Sequence, residues 1–267
     1  MILFLLLLHV TEEAMAIQHM IDMTYTFDES LDYLGVKKFE MTIIINQTHE
    51  DGYWSQLEEY SASIHLGTHM DAPAHMSKGG QTIEQIPVER FIVPAAVIDI
   101  TEKAETESEA EAAVEDLLHW ESISEQTLNG TIVMLKFGWG EKWNNKSAFF
   151  GTASNDLHKL CFPGLAPDAA AWLVENRDIY GIATEAASFD KGSTKTFPAH
   201  QILLGKGIYG LENVANIDKI PVYGAKLYVF PMKIGKASGA PVRIIAIYED
   251  DFGIKPSSRN RYTHDKL

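Results

Sequence analysis

The sequence is poor in several features that mark particular classes of protein. Its single cysteine, Cys161, excludes a disulfide bond within the chain. Basic residues are scarce, with 22 Lys and Arg against 37 Asp and Glu, and the formal charge of −15 argues against binding to nucleic acid phosphates. The sequence contains no Gly/Ser-rich or Pro-rich linker and no internal repeat. With 267 residues and 46% hydrophobic content, the chain is therefore expected to form one large domain with a sizeable core.

The N-terminal residues MILFLLLLHV form an apolar run that is too short to span a membrane, which takes about 20 residues. The run is typical of the hydrophobic region of a signal peptide, and Ala14-Met15-Ala16 offers a small-x-small cleavage site. We therefore predict a signal peptide over residues 1–16, one globular domain over residues 17–252 and a C-terminal tail over residues 253–267. No membrane partner is expected.

Three Asn-x-Ser/Thr sequons fit a secreted chain, and we expect them to lie in loops that accept glycans: Asn46, Asn129 and Asn145. The C-terminal His-Asp-Lys-Leu differs from an HDEL-type retention signal because Lys266 replaces the glutamate. Retention in the endoplasmic reticulum is therefore not expected. The sequence predicts a protein that is secreted or that resides in the lumen of the secretory pathway.

Short β-branched runs and helical runs are both present, which predicts a mixed α/β fold. Five segments bounded by turn residues are predicted strands: Ala95–Ile100, Thr131–Phe137, Gly181–Thr184, Lys226–Phe230 and Val242–Tyr248. Pro167–Asn176 is a predicted helix, because Pro167 suits a first turn and Asp168 suits the positive end of the helix dipole. A second, acidic helix is predicted over about Glu107–Leu118, with inward-facing Ala112, Val114, Leu117 and Leu118.

The run from His65 to His75 has the strongest chemical signal in the sequence. Its reactive side chains all occupy odd positions: His65, His69, Asp71 and His75. A period of two places alternate side chains on one face of an extended segment. Neutral imidazoles and carboxylates are ligands that Zn²⁺ and similar cations accept. The run therefore predicts a metal site; the alternative is three unrelated loop histidines.

A straight strand cannot bring these side chains to one ion. At roughly 3.3 Å per residue, His65 and His69 would lie about 13 Å apart, whereas bonds of about 2 Å to one ion require closer approach. We expect the chain to bend at Gly67 and Pro73. A helix with His65 and His69 at i and i+4 is disfavoured, because Leu66 replaces the glutamate of a His-Glu-x-x-His motif and because Gly67 and Pro73 are poor helix residues.

The run His65-x-Gly-Thr-His-x-Asp-x-Pro-x-His75 resembles the signature of the putative cyclase family, which includes bacterial-type kynurenine formamidases and isatin hydrolases. The similarity covers roughly residues 20 to 250, through further short pieces: Asp22-Met23-Thr24, Phe137-Gly138-Trp139, Pro163-Gly164-Leu165, Ser188-Phe189-Asp190, Ala199-His200 and Gly239-Ala240-Pro241-Val242-Arg243. The resemblance implies a swivelling β/β/α domain with a mixed sheet and flanking helices, acting as a metal-dependent hydrolase over residues 17–252.

The resemblance also implies how metal ions are held. His200 and Glu212 match positions at which the family binds a second ion that the motif's aspartate bridges. The implied ligands are His65, His69 and Asp71 for one ion, and Asp71, His200 and Glu212 for the other. The ions would be Zn²⁺ or Mn²⁺, with one or two per chain. By spacing alone, a histidine before an apolar Ile-Leu-Leu run is more often structural, so this second cluster depends on the resemblance.

His75 matches the family's catalytic residue. An imidazole with a pKa near roughly 6.5 can take a proton from water and return it to a departing amine. The alternative is that His75 is a third ligand of the first ion. The implied reaction is hydrolysis of an aryl formamide or amide C–N bond, with N-formyl-L-kynurenine giving L-kynurenine and formate in tryptophan catabolism.

Two further functions stay open at this point. One is hydrolysis of a cyclic amide or lactone, as in isatin hydrolases, by the same metal site with a different pocket. The other is a secreted metal-binding protein without activity. The retention of His75 beside all five ligand positions counts against the inactive protein.

Departures from the family pattern concern the substrate. Tyr33-Leu34-Gly35 stands where many members have Trp-Pro-Gly and where aryl substrates are expected to stack, and Glu185 replaces an aspartate. The residues expected at the substrate are Tyr33, Trp139 and Ser188. Trp143 could also line an aromatic substrate pocket, and the alternative for both Trp139 and Trp143 is packing in the core. The family's dimers imply a homodimer that acts on a small aromatic amide.

Overall fold

The computed structural model describes residues 17–249 except 32 and 34, so the predicted signal peptide and C-terminal tail lie outside the described residues. The strands are β1 (Gln18–Asp22), β2 (Glu40–Thr48), β3 (Trp54–Ser61), β4 (His69–Asp71), β5 (Ile92–Asp99), β6 (Glu111–Ala112), β7 (Ile132–Lys136), β8 (Gly164–Leu165), β9 (Gly181–Thr184), β10 (Tyr209–Glu212), β11 (Lys226–Pro231) and β12 (Gly239–Glu249). The α-helices are α1 (Thr101–Thr106), α2 (Val114–Ser124), α3 (Lys146–Phe149), α4 (Pro167–Asn176) and α5 (Pro198–Gly205). Short 3-10 helices cover Pro73–His75, Ile83–Gln85, Val88–Phe91, Trp139–Lys142, Leu157–Lys159 and Ile217–Lys219.

The main sheet has eight strands in the order β1-β12-β11-β5-β7-β9-β10-β4, and β4 also pairs with β12. Seven strands therefore close into a barrel-like ring, and β1 pairs with β12 outside it. The pairs from β5 to β10 are parallel, and the remaining pairs in the sheet are antiparallel. The predicted mixed sheet with flanking helices is confirmed.

The central strands are buried on both faces, which suits their continuous apolar sequences. In β7, Val133 and Leu135 pack in a cluster with the helices outside the ring, together with Trp120 of α2 and Leu173 of α4. Ile132 and Met134, the alternate residues, pack in a second cluster with side chains from all the other strands of the ring. The period of two along each strand therefore divides the core into an outer layer and a ring interior.

The predicted strands and one of the two predicted helices are confirmed. Helix α4 has the predicted bounds, Pro167–Asn176. The five predicted strands correspond to β5, β7, β9, β11 and β12, with ends that differ by up to three residues. Strands β5 and β12 both begin three residues earlier than predicted, and β12 begins at Gly239 because its first residues pair with β4.

The predicted acidic helix over Glu107–Leu118 is confirmed only from Val114 onward, and its earlier residues are not in the helix. Glu111–Ala112 forms β6, which pairs in parallel with β8, and helix α2 begins only at Val114. The Asp116 carboxylate accepts the backbone N–H of Ala113 at 2.7 Å and so caps the later start. Ala112, Val114 and Leu117 face inward as predicted, but Leu118 is 45% exposed and Trp120 is buried instead. A charged run with scattered apolar residues did not specify where its helix begins.

Strands β2 and β3 form a separate two-stranded hairpin outside the main sheet. Most of its residues are exposed on both faces. The exposed apolar side chains of this hairpin and its turn are Met41, Ile43, Ile44, Tyr53, Trp54, Leu57 and Tyr60. The predicted loop position of Asn46 is wrong, because Asn46 pairs with Gln56 within the hairpin. Asn129 and Asn145 do lie outside the helices and strands, and all three asparagines are exposed.

Within the described part of the chain, no helix has both the length and the apolar composition needed to cross a membrane.

Candidate metal centre

Strand β4 holds His69 and Asp71 between two neighbours. Glu212 of β10 and Pro241 of β12 both lie opposite His69, while Gly210 and Gly239 lie opposite Asp71. Both β4 side chains face the same way and are almost completely buried, with exposed fractions of 2% and 1%. The intervening Met70 packs into the ring interior. The predicted period of two therefore holds within the strand itself.

The chain bends sharply before β4. Gly67 has a φ of +64°, and a Cβ there would approach the Leu31 side chain to 2.8 Å, so the turn requires glycine. The turn places His65 Nδ1 2.6 Å from Asp71 Oδ1. A Cβ at Gly239 would overlap the His65 ring, so the same strand pairing leaves space for this histidine. The bent extended segment is present, and the helical alternative is wrong.

His200 and Glu212 reach the same place from other elements. His200 lies in the first turns of α5, and Glu212 is the last residue of β10. His200 Nε2 lies 3.4 Å from Asp71 Oδ2 and 3.2 Å from Glu212 Oε1. His69 Nε2 lies 3.3 Å from Asp71 Oδ1 and 3.4 Å from Glu212 Oε2. Residues distant in sequence thus converge on the Asp71 carboxylate.

The histidines are oriented by contacts on their outer sides. His69 Nδ1 lies 2.9 Å from the carbonyl oxygen of Gly67. Because a carbonyl oxygen can only accept a hydrogen bond, Nδ1 carries the proton that it donates, and Nε2 faces the two carboxylates. His200 Nδ1 lies 2.7 Å from Asp190 Oδ2, and its Nε2 also faces inward. His65 has the opposite orientation, with Nε2 3.0 Å from Ser238 Oγ and Nδ1 toward Asp71. Such outer contacts are typical of histidines that bind metal ions.

The centre concentrates negative charge in a buried volume. Burial lowers the pKa of His69, but the Asp71 and Glu212 carboxylates outweigh it and raise that pKa to about 9. His200 behaves similarly, because Asp190, Asp71 and Glu212 raise its pKa well above the usual value despite burial. Burial raises the pKa of Asp71, but the surrounding imidazoles hold it well below its usual range. The arrangement therefore stabilises positive charge at this point.

A metal ion fits this donor set. Asp71 Oδ2 is buried and accepts no hydrogen bond of good geometry among the described residues; its neighbour His200 Nε2 lies 3.4 Å away, a separation that leaves this oxygen available to a cation. The potential ligand atoms form two groups, and within each group all the atoms lie within 4.8 Å of one another. One group is His65, Asp71 and His75, and the other is His69, Asp71 and Glu212. Asp71 is common to both. The grouping differs from the expected one, since His75 joins His65 and since His69 joins Glu212.

His75 ends the 3-10 helix that follows β4, and its ring lies beside the other histidines. The centroid of its ring is 4.1 Å from that of His65 and 6.0 Å from that of His200. Burial lowers the pKa of His75, and its histidine neighbours lower it further, although Asp71 and Glu212 oppose this. The neutral imidazole favoured in this way can bind a metal or accept a proton.

A cavity of about 180 Å³ adjoins the centre, and its lining includes Tyr33, Leu66, Trp143, Phe149, Phe150 and Asn213. Burial raises the pKa of Tyr33, and the Glu212 and Asp71 carboxylates raise it further, which places the phenol near the centre. The Trp143 ring stacks on Tyr25 with a centroid distance of 3.7 Å. The cavity therefore offers a planar aromatic wall next to the converging ligands.

Trp139 and Ser188 are not part of the cavity lining. The Trp139 indole is buried in the outer core and donates from Nε1 to the Phe149 carbonyl at 2.8 Å. Ser188 is buried, and its Oγ accepts the backbone N–H of Asp190 at 3.2 Å. In place of Trp139, the structure puts Trp143 at the cavity, because the turn after Gly138 directs Trp139 inward.

Glu185 holds the turn that contains Trp139. Its carboxylate accepts backbone N–H groups from Phe137 at 2.5 Å, Trp139 at 2.8 Å and Gly140 at 3.2 Å. Burial raises the pKa of Glu185, although these hydrogen bonds act in the opposite direction. The residue that replaces the family's aspartate therefore fixes the backbone beside the cavity.

Three residues of the site were not identified from the sequence as functional: Asp190, Ser238 and Asn213. Asp190 and Ser238 contact ligand histidines, and Asn213 follows Glu212 directly. Their positions carried a usable signal, since Asp190 ends the Ser-Phe-Asp piece and Ser238 precedes the Gly-Ala-Pro piece. Only the folded arrangement shows which histidine each one meets.

The sequence profile of the putative cyclase family matches residues 21–191, more than half of the chain. The chain belongs to the putative cyclase family. Among cyclase-family relatives, it is 30% identical to an isatin hydrolase from Roseibium aggregatum over 192 residues, covering 68% of this chain and 71% of the relative. It is 28% identical to a kynurenine formamidase from Salinibacter ruber over 197 residues, covering 74% of this chain and 82% of the relative.

Solved cyclase-family structures have the same fold. Isatin hydrolase A from Ralstonia solanacearum superimposes with a TM-score of 0.79 at 28% identity, covering 87% of this chain and 92% of that protein. His200 and Glu212 lie beyond the residues that the family profile matches, but within the described fold they complete the same centre as the motif residues.

Proposed function

We propose that this chain is a metal-dependent hydrolase that cleaves an amide C–N bond on an aromatic nitrogen. The observation that carries the proposal is the convergence of three histidines on Asp71, with Glu212 beside two of them, next to an aromatic cavity. The named activities of the relatives, isatin hydrolase and kynurenine formamidase, support the same class of reaction. The swivelling β/β/α type is the finer fold assignment that goes with this proposal.

The metal ligands in this proposal are His65, His69, Asp71, His200 and Glu212. They hold one or two ions of Zn²⁺ or Mn²⁺, with Asp71 central because it contacts three histidines. When bound, a divalent cation polarises a carbonyl group and makes water more acidic. The protein keeps the ligands in place through the strand pairing of β4 and through the outer contacts of each histidine.

His75 is proposed as the proton carrier. Its imidazole accepts a proton from the attacking water as the new C–O bond forms. It then returns the proton to the nitrogen that departs when the C–N bond breaks. The closeness of its ring to those of His65 and His200 supports this role. The alternative role is a ligand, since its nitrogen lies within reach of the His65–Asp71 pair.

The leading substrate is an aryl formamide, with N-formyl-L-kynurenine giving L-kynurenine and formate. The cavity wall formed by Tyr33 and Trp143 suits an aryl group. A second candidate is a cyclic amide or lactone, and the isatin hydrolases among the relatives and solved structures favour it. An inactive metal-binding protein is the third, and it is disfavoured because every proposed ligand and His75 face one centre.

Turnover of N-formylkynurenine and isatin by metal-loaded protein tests the proposal, with elemental analysis of the same sample. We expect hydrolysis of at least one substrate by protein that contains stoichiometric Zn²⁺ or Mn²⁺. The matched control is Asp71→Asn, which keeps the shape of the side chain and removes its charge. A metal-loaded protein that hydrolyses neither substrate would contradict both of the leading candidates.

The proposed setting is the secretory pathway, with cleavage of residues 1–16 and glycans on Asn46, Asn129 and Asn145. The exposure of all three asparagines supports glycan attachment. We also propose a homodimer, and the exposed apolar side chains of the β2–β3 hairpin support it. Sedimentation equilibrium measures the mass in solution, and a monomer at micromolar concentration would contradict the dimer.

A further inference from the structure

Asn213 has a backbone conformation that few residues adopt. It follows Glu212 at the end of β10, its φ is +55°, and its exposed fraction is 2%. A left-handed conformation costs free energy for any residue with a Cβ, although asparagine tolerates it better than most. The surrounding structure must therefore hold Asn213 in place, and such residues are concentrated at functional sites.

The contacts of Asn213 link it to the turn before β4. Its side-chain Nδ2 donates to the carbonyl oxygen of Gly67 at 2.9 Å. The same oxygen accepts a hydrogen bond from His69 Nδ1, also at 2.9 Å. Its own carbonyl oxygen accepts from Thr68 Oγ1 at 2.7 Å. One residue thus joins the segment that ends in Glu212 to the segment that begins with His65.

These contacts act on two proposed ligands at once. The Gly67 carbonyl determines which nitrogen of His69 faces the centre, and the Asn213 amide keeps that carbonyl from turning away. The backbone of Asn213 fixes the exit of the chain from Glu212, whose side chain lies 3.4 Å from His69 Nε2. The cavity is lined by both Gly67 and Asn213, so the link lies between the centre and the cavity.

We propose that Asn213 is a positioning residue that sets the geometry of the metal centre through the Gly67 carbonyl. The inference rests on the proposed metal-binding function, but it concerns a residue that contacts no ion. Removal of a group that hydrogen-bonds directly to a ligand histidine typically weakens metal binding about 10–100-fold, and because Asn213 acts one hydrogen bond further out we expect a smaller loss of about 3–10-fold. The effect should therefore appear in metal affinity and in the ligand field of the ion, without a substrate.

The test uses Asn213→Gly in the full chain, because glycine accepts a φ of +55° without strain and removes only the amide. Asn216→Gly is the matched control. Asn216 also has a positive φ, 58°, and its Nδ2 also donates to a backbone carbonyl, that of Asp22 at 2.7 Å. Asp22 is not among the proposed ligands, so the control removes an equivalent bond away from the centre.

Co²⁺ is the probe, because its visible absorption reports ligand geometry and allows titration of the metal-free protein. We expect Asn213→Gly to raise the Kd for Co²⁺ about 3–10-fold and to shift the absorption bands. Asn216→Gly should leave both unchanged, because its hydrogen bond lies away from the centre. Equal Co²⁺ affinity and equal spectra in wild type and Asn213→Gly would overturn the inference.

A second variant keeps the test decisive if Asn213→Gly fails to fold. Asn213→Asp has the same shape but cannot donate to the Gly67 carbonyl. If the amide donor matters, the affinity for Co²⁺ falls; if only the local charge matters, the added carboxylate tightens binding, which would overturn the inference. A wild-type chain that binds no Co²⁺ would instead remove the proposed metal-binding function.

Discussion

Glu212 lies directly opposite His69 in the antiparallel pairing of β10 with β4. Their side chains point the same way, and His69 Nε2 lies 3.4 Å from Glu212 Oε2. Because side chains alternate along a strand, a slip of one residue would turn Glu212 to the opposite face. The register of two short strands is therefore as important to the centre as the identity of its residues.

The first prediction concerns metal content. His69→Ala removes one ligand and Asp71→Ala removes the central carboxylate, so both variants should lose most of their metal. Elemental analysis after purification and dialysis measures the loss. His158→Ala is the matched control, because His158 is exposed and lies outside the centre. Full metal content in both ligand variants would refute the proposed centre.

The second prediction separates the two roles of His75. If His75 carries protons, His75→Ala keeps its metal while the turnover rate falls about 10²–10⁴-fold. If His75 is a ligand, metal content and rate fall together, and added metal restores part of the activity. We expect the first result. A variant with normal turnover would defeat both roles and would make Glu185 or Glu212 the candidate base.

The third prediction concerns the aromatic wall of the cavity. Trp143→Ala removes a ring that lines the cavity, and an aromatic contact with a substrate ring contributes about 0.5–1.5 kcal/mol beyond its buried area. We expect kcat/KM for an aryl formamide to fall by up to about tenfold. Trp172→Ala is the control, because Trp172 is not part of the cavity lining. Equal losses in the two variants would show that Trp143 acts only through stability.

The fourth prediction concerns pH and stability. Burial raises the pKa of Asp99, but hydrogen bonds from Lys136 at 2.7 Å and from Thr101 outweigh it, so the pKa in the folded protein is lowered. The lowered pKa stabilises the fold above the unfolded value of about 3.9, and this contribution is lost as the pH falls through the folded value. Asp99→Asn should therefore lower the free energy of unfolding by about 1 kcal/mol at pH 7.

Urea unfolding of wild type and Asp99→Asn at several pH values between 7 and 3 measures this contribution. The difference between the two proteins should shrink as the pH falls through the titration of Asp99. A difference that stays constant over this range would show that the charge of Asp99 contributes nothing to stability.

The fifth prediction concerns the compartment. When the chain is expressed in a eukaryotic secretory host, we expect it to begin at about Ile17 and to lose mass on glycosidase treatment. N-terminal sequencing and mass spectrometry measure both. An intact Met1 on cytosolic protein would contradict the signal peptide without affecting the proposed enzyme.

Local sequence patterns predicted the features that depend on local contacts. The bounds of α4 follow from Pro167 and the alanine run after it. The bend at Gly67 follows from the distance between His65 and His69. The inward turn of Trp139 could not be predicted, because it depends on the Glu185 carboxylate, which is distant in sequence and binds the backbone of that turn.

Features that depend on distant pairing escaped prediction. Strand β6 contains two residues and exists only because β8 lies beside it. The closed ring depends on β12 pairing with β4, and no periodicity in either segment specifies that partner. The acidic run before α2 has a helical composition, so its start was decided by β6 and by the Asp116 cap.

Strand β12 pairs both with β11 and, through its first residues, with β4, which has a consequence for the order in which the fold assembles. The motif from His65 to His75 is synthesised early, whereas Glu212 and the β12 residues that flank β4 follow much later. Until β10 and β12 emerge from the ribosome, β4 has no neighbouring strand on either side, although its own proposed ligands, His69 and Asp71, have already been synthesised. A chain that stops before Gly239 would contain every proposed ligand and still lack the closed ring. Closure of the ring is therefore the last step of assembly, and a chain released before Gly239 would show whether the proposed ligands bind a metal ion without the closed ring.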